Sequence, residues 1–427
     1  MPALPGKAGR NNRMNVLVPN LGSTSLKYQL LDMGSGRGAS RSAPTGAAGP
    51  EEPVLARGKI ERIGSAEAAI TTWDAAGAPT QTTAAIANHR AAVEFLNQQM
   101  RSGAHPAGID AVGFKAVHGG PRYRGSFVVD DDLLAAMQEF EPVAPIHNPV
   151  YIQAMQIFRE VLPGVPMVAV FEPGFHVTIP DHAAVYGIPY EWTEKHGVRR
   201  YGFHGSSHRY ISERVPQMLG RSAQGLRLVS CHLGGSSSIC AVRDGKSVDS
   251  SFGFSAQSGV EHAARSGELD PFAALYLMQK ENLSADGIRE VLGKKSGLLG
   301  ISGVSTDLRD IEAAAEKGNA RARLAVDILV YEVKKYIGAF AAAMGGLDAV
   351  AFAGGIGENG VSVREVVCRD MEFLGIALDE EKNRERASTD RVISAANSKV
   401  AVLVVYTNEE IIVARETVRV LTGSATL

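Results

Sequence analysis

Two short stretches of the same build, one opening each half of the chain, constrain the fold more than any other feature. In NVLVPNLGSTSLKYQLLDM (residues 15–33), Val16-Leu17-Val18 reads as a buried strand and NLGSTS as a turn of small residues. Leu26, Tyr28 and Leu30 then alternate as in a returning strand. LRLVSCHLGGSSSICAVRDG (226–245) repeats the device, with Leu21 matching Leu233, Gly22 matching Gly234 and Ser25 matching Ser237 at an offset of 212 residues. One such match is weak evidence, because Gly/Ser turns are common. Here mixed helix and strand follow each copy, so the pair predicts a duplicated α/β domain. At 427 residues the chain also exceeds one ordinary core, and two domains are expected from size alone.

Two small-residue turns facing each other suit a phosphate clamp, since they let backbone N–H groups approach an anion while hydroxyls add donors. The chain has no G-x-x-x-x-G-K-[ST], nor a G-x-G-x-x-G opening a βαβ unit. A third glycine turn, LDAVAFAGGIGENG (347–360), runs from an apolar strand into Gly354, Gly355 and Gly357. It reads either as an ordinary strand-to-helix turn or as a backbone contact to nucleotide, with the helix start facing phosphate or sugar.

RRYGFHGSSH (199–208) packs two histidines, two serines and two arginines among small residues. That composition suits charge stabilisation, although a polar surface loop has it too. A zinc pair of His204 and His208 is a further reading, without the glutamate of H-E-x-x-H.

Composition excludes several classes. The 45% hydrophobic and 21% charged shares are those of a soluble globular protein. A net charge of −2 leaves no footprint for nucleic acid or anionic membrane. Cys231, Cys240 and Cys368 are too few and scattered for a disulfide framework, no apolar run reaches membrane-spanning length, and a cytoplasmic protein is expected. Residues 1–14 read as a disordered tail, 34–53 as a loose Gly/Ser/Ala/Pro-rich loop, 84–102 as helical, and 108–120 as a strand ending in a glycine turn.

Taken together, NLGSTSLKYQL, VHGG, APIHNP, VFEPGFH, RRYGFHGSSH, HLGGSSS, ARSGELDP, KKSGLLGISGVSTDLRD, GGIGEN and TNEEIIVARET occur in the order of the acetate kinase family. From about residue 15 to its end the chain resembles these carboxylate kinases of the actin-like, sugar-kinase-like superfamily. The resemblance implies α/β architecture: duplicated actin-like (ribonuclease H-like) domains with an interdomain active-site cleft. The N-terminal domain would span 15–174, completed by a returning helix over 410–427, and the nucleotide-binding domain 175–409. It also implies a homodimer, and partners limited to a small carboxylate and ATP, with no nucleic acid or membrane.

The implied reaction is transfer of the ATP γ-phosphoryl to a short carboxylate, giving an acyl phosphate and ADP. The acceptor is already anionic at neutral pH, so no strong base is needed, and the site would be rich in Arg, His and Lys. By resemblance, Asn20 and Glu409 hold the Mg²⁺ shell, with Mn²⁺ as an alternative ion, and Ser23, Ser25 and Lys27 lie near the phosphates. Glu409 also reads as a capping acid, and Lys27 as a solvated strand lysine. His147 and His204 match histidines that steady the transferring phosphoryl, and Arg265 matches an arginine on carboxylate and transition-state oxygens. An ion pair with Glu268 or Asp270 is the other reading of Arg265. Glu172 and Lys115 complete the catalytic group. His232, Leu233, Gly234, Gly235 and Ser236 form the second phosphate turn. Asp307, Leu308 and Arg309 flank adenosine, with Gly355, Ile356, Gly357, Glu358 and Asn359 beneath it. Val117, Ile146 and Phe203 wall the acyl pocket, where Lys115 and Arg265 also bind substrate.

Four departures fall on the chemistry. Lys115 stands near the family's arginine and keeps charge without a bidentate fork; Arg122 and Arg124 are nearby in sequence. Glu172, followed by Pro173-Gly174, replaces an aspartate. Gly235 replaces an asparagine, and Ala256 a pocket proline. Three readings follow: an acetate kinase of altered efficiency, a kinase for another acid such as propionate, butyrate or a hydroxy acid, or a catalytically weak nucleotide sensor.

Overall fold

The computed structural model describes residues 13–22, 24–35, 52–73, 77–102 and 108–424. Most of the expected tail and loose loop lies outside these, as does Ser23; Arg13 and Met14 begin a strand. The chain divides into two compact units, Met1–Gly174 with Glu409–Leu427, and Phe175–Asn408.

The first unit contains β1 (Arg13–Gly22), β2 (Ser25–Ser35), β3 (Val54–Glu61), β4 (Ala68–Trp73), β5 (Pro79–Ala84), β6 (Ala111–Ala116), β7 (Ser126–Val128) and β8 (Met167–Phe171). They form one sheet in the order β5-β4-β3-β2-β1-β6-β8-β7. β1, β2 and β3 pair antiparallel, whereas β6 is parallel to both β1 and β8. The second unit contains β9 (Arg227–His232), β10 (Ser238–Arg243), β11 (Lys246–Ser250), β12 (Ala349–Ala353), β13 (Arg391–Val392) and β14 (Ala401–Val404), in the order β11-β10-β9-β12-β14-β13. Again three strands pair antiparallel and two follow in parallel. Five strands in each unit therefore share one order and one set of directions, the duplicated actin-like topology.

The parallel strands MVAVF and AVAFA are buried throughout, as strands covered on both faces must be. In the second unit, helix Ala320–Met344 presents Ala325, Leu329, Val333, Ile337 and Phe340 to the core that includes Val229, Ile239, Val350 and Phe352. Their helical spacing gives one apolar stripe. In the first, the returning helix Glu409–Thr422 lays Val413 and Ala414 on Val16, Val18, Ala111, Val168 and Val170. It approaches so closely that a Cβ at Gly113 would overlap the Thr417 hydroxyl.

The two glycine turns differ in build. Gly22 pairs directly with Ser25, so only two positions separate the paired ends of β1 and β2. In the second copy His232 pairs with Ser238 and residues 233–237 swing out as a wider loop. Ser237 closes that loop locally, its hydroxyl 3.1 Å from both N and O of Gly234.

Candidate active site

The first unit gathers a charged cluster at the ends of its central strands. Lys115 on β6 donates from Nζ to Oε2 of Glu409, the first residue of the returning helix, over 2.5 Å. Asn20 on β1 lines the same small cavity as Lys115, Glu409 and Glu410. It lies opposite Lys27 in the hairpin register and accepts from the Tyr151 hydroxyl at 3.4 Å. Burial alone would push the Lys115 ammonium down, but Glu409, Glu172 and Tyr151 together hold it well above the ordinary lysine value. Tyr151 is pushed up by its own burial and by the Glu172 and Glu409 charges, against Lys115. Glu172, at the end of β8, is 4% exposed.

Among the described residues, no group of three or more His, Cys, Asp or Glu side chains could hold a metal ion. This leaves the zinc reading of His204 and His208 without support. Asn20 and Glu409 offer two hard oxygen donors, too few for an all-protein cage. That set fits Mg²⁺, which is ordinarily held by one or two protein oxygens together with phosphates and water.

Elsewhere in the first unit, Lys27 is exposed, Ser25 closes the β1–β2 turn, Val117 is buried and Ile146 is 44% exposed. His147 precedes helix Asn148–Val161. The residue that fixes this region is Asn148. Fully buried, it donates to the carbonyls of His118 (2.8 Å) and Met137 (2.7 Å) and accepts from the His118 N–H, tying the VHGG segment to the helix start.

In the second unit, RRYGFHGSSH becomes a loop entering helix Gly205–Leu219. His204 sits at the entry with φ 54° and ψ 32°, left-handed geometry that costs a non-glycine residue about 1 kcal/mol. Its Nδ1 is 2.8 Å from the Ser238 hydroxyl, and its ring centroid is 4.2 Å from that of His232. The Ser207 hydroxyl lies 2.7 Å from His232 Nδ1. Phe203, buried, packs edge-on against Phe252.

Arg265 resolves one choice left open by sequence. Glu268 pairs with Lys335 at 3.2 Å, and Asp270 caps helix Pro271–Lys280. Arg265 instead donates from Nη1 to two neutral oxygens, the Ser236 hydroxyl (3.1 Å) and the Ala256 carbonyl (2.7 Å). Among the described residues it has no carboxylate partner, and burial pushes its guanidinium down from the ordinary arginine value.

The turn at residues 232–236 docks on the third glycine turn. The Leu233 N–H donates to Ala353 O, and the Leu233 carbonyl accepts from the N–H groups of Ile356 (2.9 Å) and Gly357 (3.2 Å). A Cβ at Gly354, whose φ is +73°, would meet that carbonyl at 2.6 Å. Two amides at the start of helix Gly354–Asn359 are thus used inside the protein, and the Gly354 N–H goes to Glu358 at 3.2 Å. At Gly235 and Gly355 a Cβ would meet open space. Asn359 donates to the Gly355 carbonyl. Leu233 and Leu308 are core side chains, and the Leu233 N–H and carbonyl are both engaged within the protein. Asp307 caps its helix and chelates Arg309, whose guanidinium pulls the carboxyl down to about 2.

The described residues 15–22, 24–35, 52–73, 77–102 and 108–415 fall within residues 15–415, which match the sequence profile of the Acetokinase family. Over 416 residues, 96% of this chain and all of its counterpart, it is 44% identical to an acetate kinase from Caldanaerobacter subterraneus subsp. tengcongensis. The chain belongs to the acetokinase family.

Solved acetokinase structures agree. The acetate kinase of Porphyromonas gingivalis superposes with a TM-score of 0.82 at 41% identity, covering 96% of this chain and 100% of that one. A propionate kinase from Francisella tularensis gives 0.83 at 32% identity, covering 95% and 99%. Within this acetokinase, three residues escaped sequence reasoning. Asn148 stands inside APIHNP, directly after His147, with no signal of its own. His208 was weighed only as a zinc ligand. Arg364, fully buried beneath GGIGEN, donates to the carbonyls of Gly357 (2.8 Å) and Glu358 (2.9 Å), and no local pattern marks it.

Proposed function

We propose that the protein transfers the γ-phosphoryl of ATP to acetate, directly and reversibly, forming acetyl phosphate and ADP. The observation that carries this reading is Arg265. A largely desolvated guanidinium with only neutral oxygen partners is electrostatically incomplete until an anion reaches it. Its planar fork suits a carboxylate or the equatorial oxygens of a phosphoryl group.

In this reading the acetate oxygen attacks phosphorus in line and ADP leaves. His204 and His147 donate hydrogen bonds to the phosphoryl oxygens while Arg265 neutralises charge that builds on them. Lys115, charged at neutral pH, binds substrate carboxylate or phosphate and orients Glu409, with the Glu172 charge reinforcing it. Residues 232–236 approach the phosphates, Ser25 and Lys27 lie near them, and Asp307–Arg309 with Gly355–Asn359 border the adenosine. Val117, Ile146 and Phe203 exclude water around the acetate methyl. Asn20 and Glu409 would hold Mg²⁺, which when bound would offset the negative charge of the phosphates.

Three further features of the family are proposed with it. Helix Pro271–Lys280 buries none of its residues, yet carries Phe272 (76% exposed), Leu275 and Tyr276. An apolar face of that kind supports a homodimer. Cys231, Cys240 and Cys368 are buried free thiols, which supports a reducing cytoplasmic setting. Ala256, in place of a proline, supports acceptance of propionate as a second substrate.

Incubation of ATP and Mg²⁺ with ¹⁸O-labelled acetate, read by ³¹P NMR, tests the reaction. Attack of the acetate oxygen on phosphorus puts one labelled oxygen between carbon and phosphorus of the product. An unlabelled bridge, or no acyl phosphate, overturns the reading.

A further inference from the structure

Four side chains in the second unit form a continuous chain of hydrogen-bonding atoms. The Ser230 hydroxyl lies 2.8 Å from His208 Nδ1, His208 Nε2 lies 2.8 Å from the Ser238 hydroxyl, and that same hydroxyl lies 2.8 Å from His204 Nδ1. His208, Ser230 and Ser238 are fully buried. We propose that His208 is a positioning residue which, through the Ser238 hydroxyl, holds His204 as the imidazole tautomer with hydrogen on Nε2 and a lone pair on Nδ1.

The assignment follows from counting hydrogens. A neutral imidazole has one N–H and one lone pair, and a serine hydroxyl has one hydrogen to give. Three arrangements keep every link made, because a hydroxyl oxygen can also accept twice. The one in which Ser238 accepts from both rings strands its own fully buried hydrogen, which leaves two. In the first, Ser230 donates to His208 Nδ1, His208 Nε2–H donates to Ser238, and Ser238 donates to His204 Nδ1. In the second, every bond reverses: His204 Nδ1–H donates to Ser238, Ser238 to His208 Nε2, and His208 Nδ1–H to Ser230.

Ser230 decides between them. Among the described residues, His208 Nδ1 is the hydroxyl's only partner. The first direction uses its hydrogen. The second strands that hydrogen in a fully buried place, which costs about 1–3 kcal/mol. Burial, then the His176 and His232 rings, push His208 well below the ordinary histidine value, so it counts as neutral in both schemes.

Backbone placement acts with the relay. His176 Nε2 lies 2.9 Å from the Phe203 carbonyl, which can only accept, so that nitrogen carries the hydrogen and anchors the residue preceding His204. The Ser247 hydroxyl then donates to His176 Nδ1 at 2.8 Å. With Nδ1 accepting from Ser238, His204 carries its hydrogen on Nε2 without conversion to imidazolium. The catalytic consequence rests on the proposed place of His204 at the transferring phosphoryl, whereas the tautomer does not.

Ring ¹⁵N spectra of the full-length protein, assigned with a His204→Gln variant, separate the two. The wild type is expected to show His204 with an unprotonated Nδ1 and a protonated Nε2; a protonated Nδ1 overturns the proposal outright. Ser238→Ala is expected to give a mixture of His204 tautomers, with kcat about tenfold lower and KM within about twofold. Ser238→Thr, which keeps the hydroxyl, is expected to restore both tautomer and kcat. An unchanged tautomer in Ser238→Ala overturns the relay. A changed tautomer with unchanged kcat overturns the catalytic role of His204. If Ser238→Ala fails to fold, His208→Leu, which has no donor or acceptor, cuts the relay one step earlier with the same expected signatures.

Discussion

Lys115 Nζ and Glu409 Oε2, 294 positions apart in sequence, stand 2.5 Å from each other where β6 meets the returning helix. Their side chains are only 26% and 17% exposed. Lys115→Met removes the ammonium that bonds the largely buried Glu409 carboxylate. We expect kcat/KM to fall by about a hundredfold or more and stability by about 1–3 kcal/mol. Lys115→Arg keeps the charge and should retain most of the stability. Steady-state kinetics alongside thermal melts check both.

Arg265 predicts the opposite balance. Its two bonds go to neutral oxygens, so Arg265→Ala gives up little folding energy. Activity, in contrast, should fall by about a hundredfold or more, with the melting temperature nearly unchanged. A collapse in melting temperature on the same substitution would mark Arg265 as structural.

Arg364 should behave as a support. Besides the Gly357 and Glu358 carbonyls, it donates to Asn383 Oδ1 (2.8 Å) and O (3.0 Å). Arg364→Met strands these acceptors and should cost about 3 kcal/mol, with a raised KM for ATP as GGIGEN loosens. Melts and ATP titrations read the two effects.

A buried carboxyl makes stability depend on pH. Glu261 is 1% exposed, and burial together with the neighbouring Glu332 pushes its pKa up to about 8 from the ordinary 4.5. The folded protein therefore keeps this proton up to about 8, while the unfolded chain releases it near the ordinary value. The group's contribution is most favourable below the ordinary carboxylate range and is lost as pH rises through the folded value. Melting temperature should fall between pH 5 and 8 in the wild type, and Glu261→Gln should flatten that fall. Parallel curves for both proteins would contradict this.

How much of this was legible depended on the range over which each signal acts. The β1–β2 and β9–β10 hairpins showed in sequence because alternation and small-residue turns are local. Offset alignment did not reveal that Gly22 sits in a tight turn and Gly234 in a wider loop, since loop width follows from strand register. Residues with a reactive signature, such as His204 and Arg265, were visible as candidates. Choosing between an Arg265 ion pair and a guanidinium bonded only to neutral oxygens needed the positions of Lys335 and Ala256. Asn148, His208 and Arg364 act through carbonyls and hydroxyls brought close only by folding, and no composition or spacing marks such partners.

Acyl-phosphate trapping with hydroxylamine, using ATP, Mg²⁺ and an acid series from formate to butyrate with lactate included, tests the central claim most directly. Acetyl hydroxamate is expected as the dominant product, with propionate turned over more slowly. No hydroxamate from any acid, in a protein that still binds ATP, would contradict it.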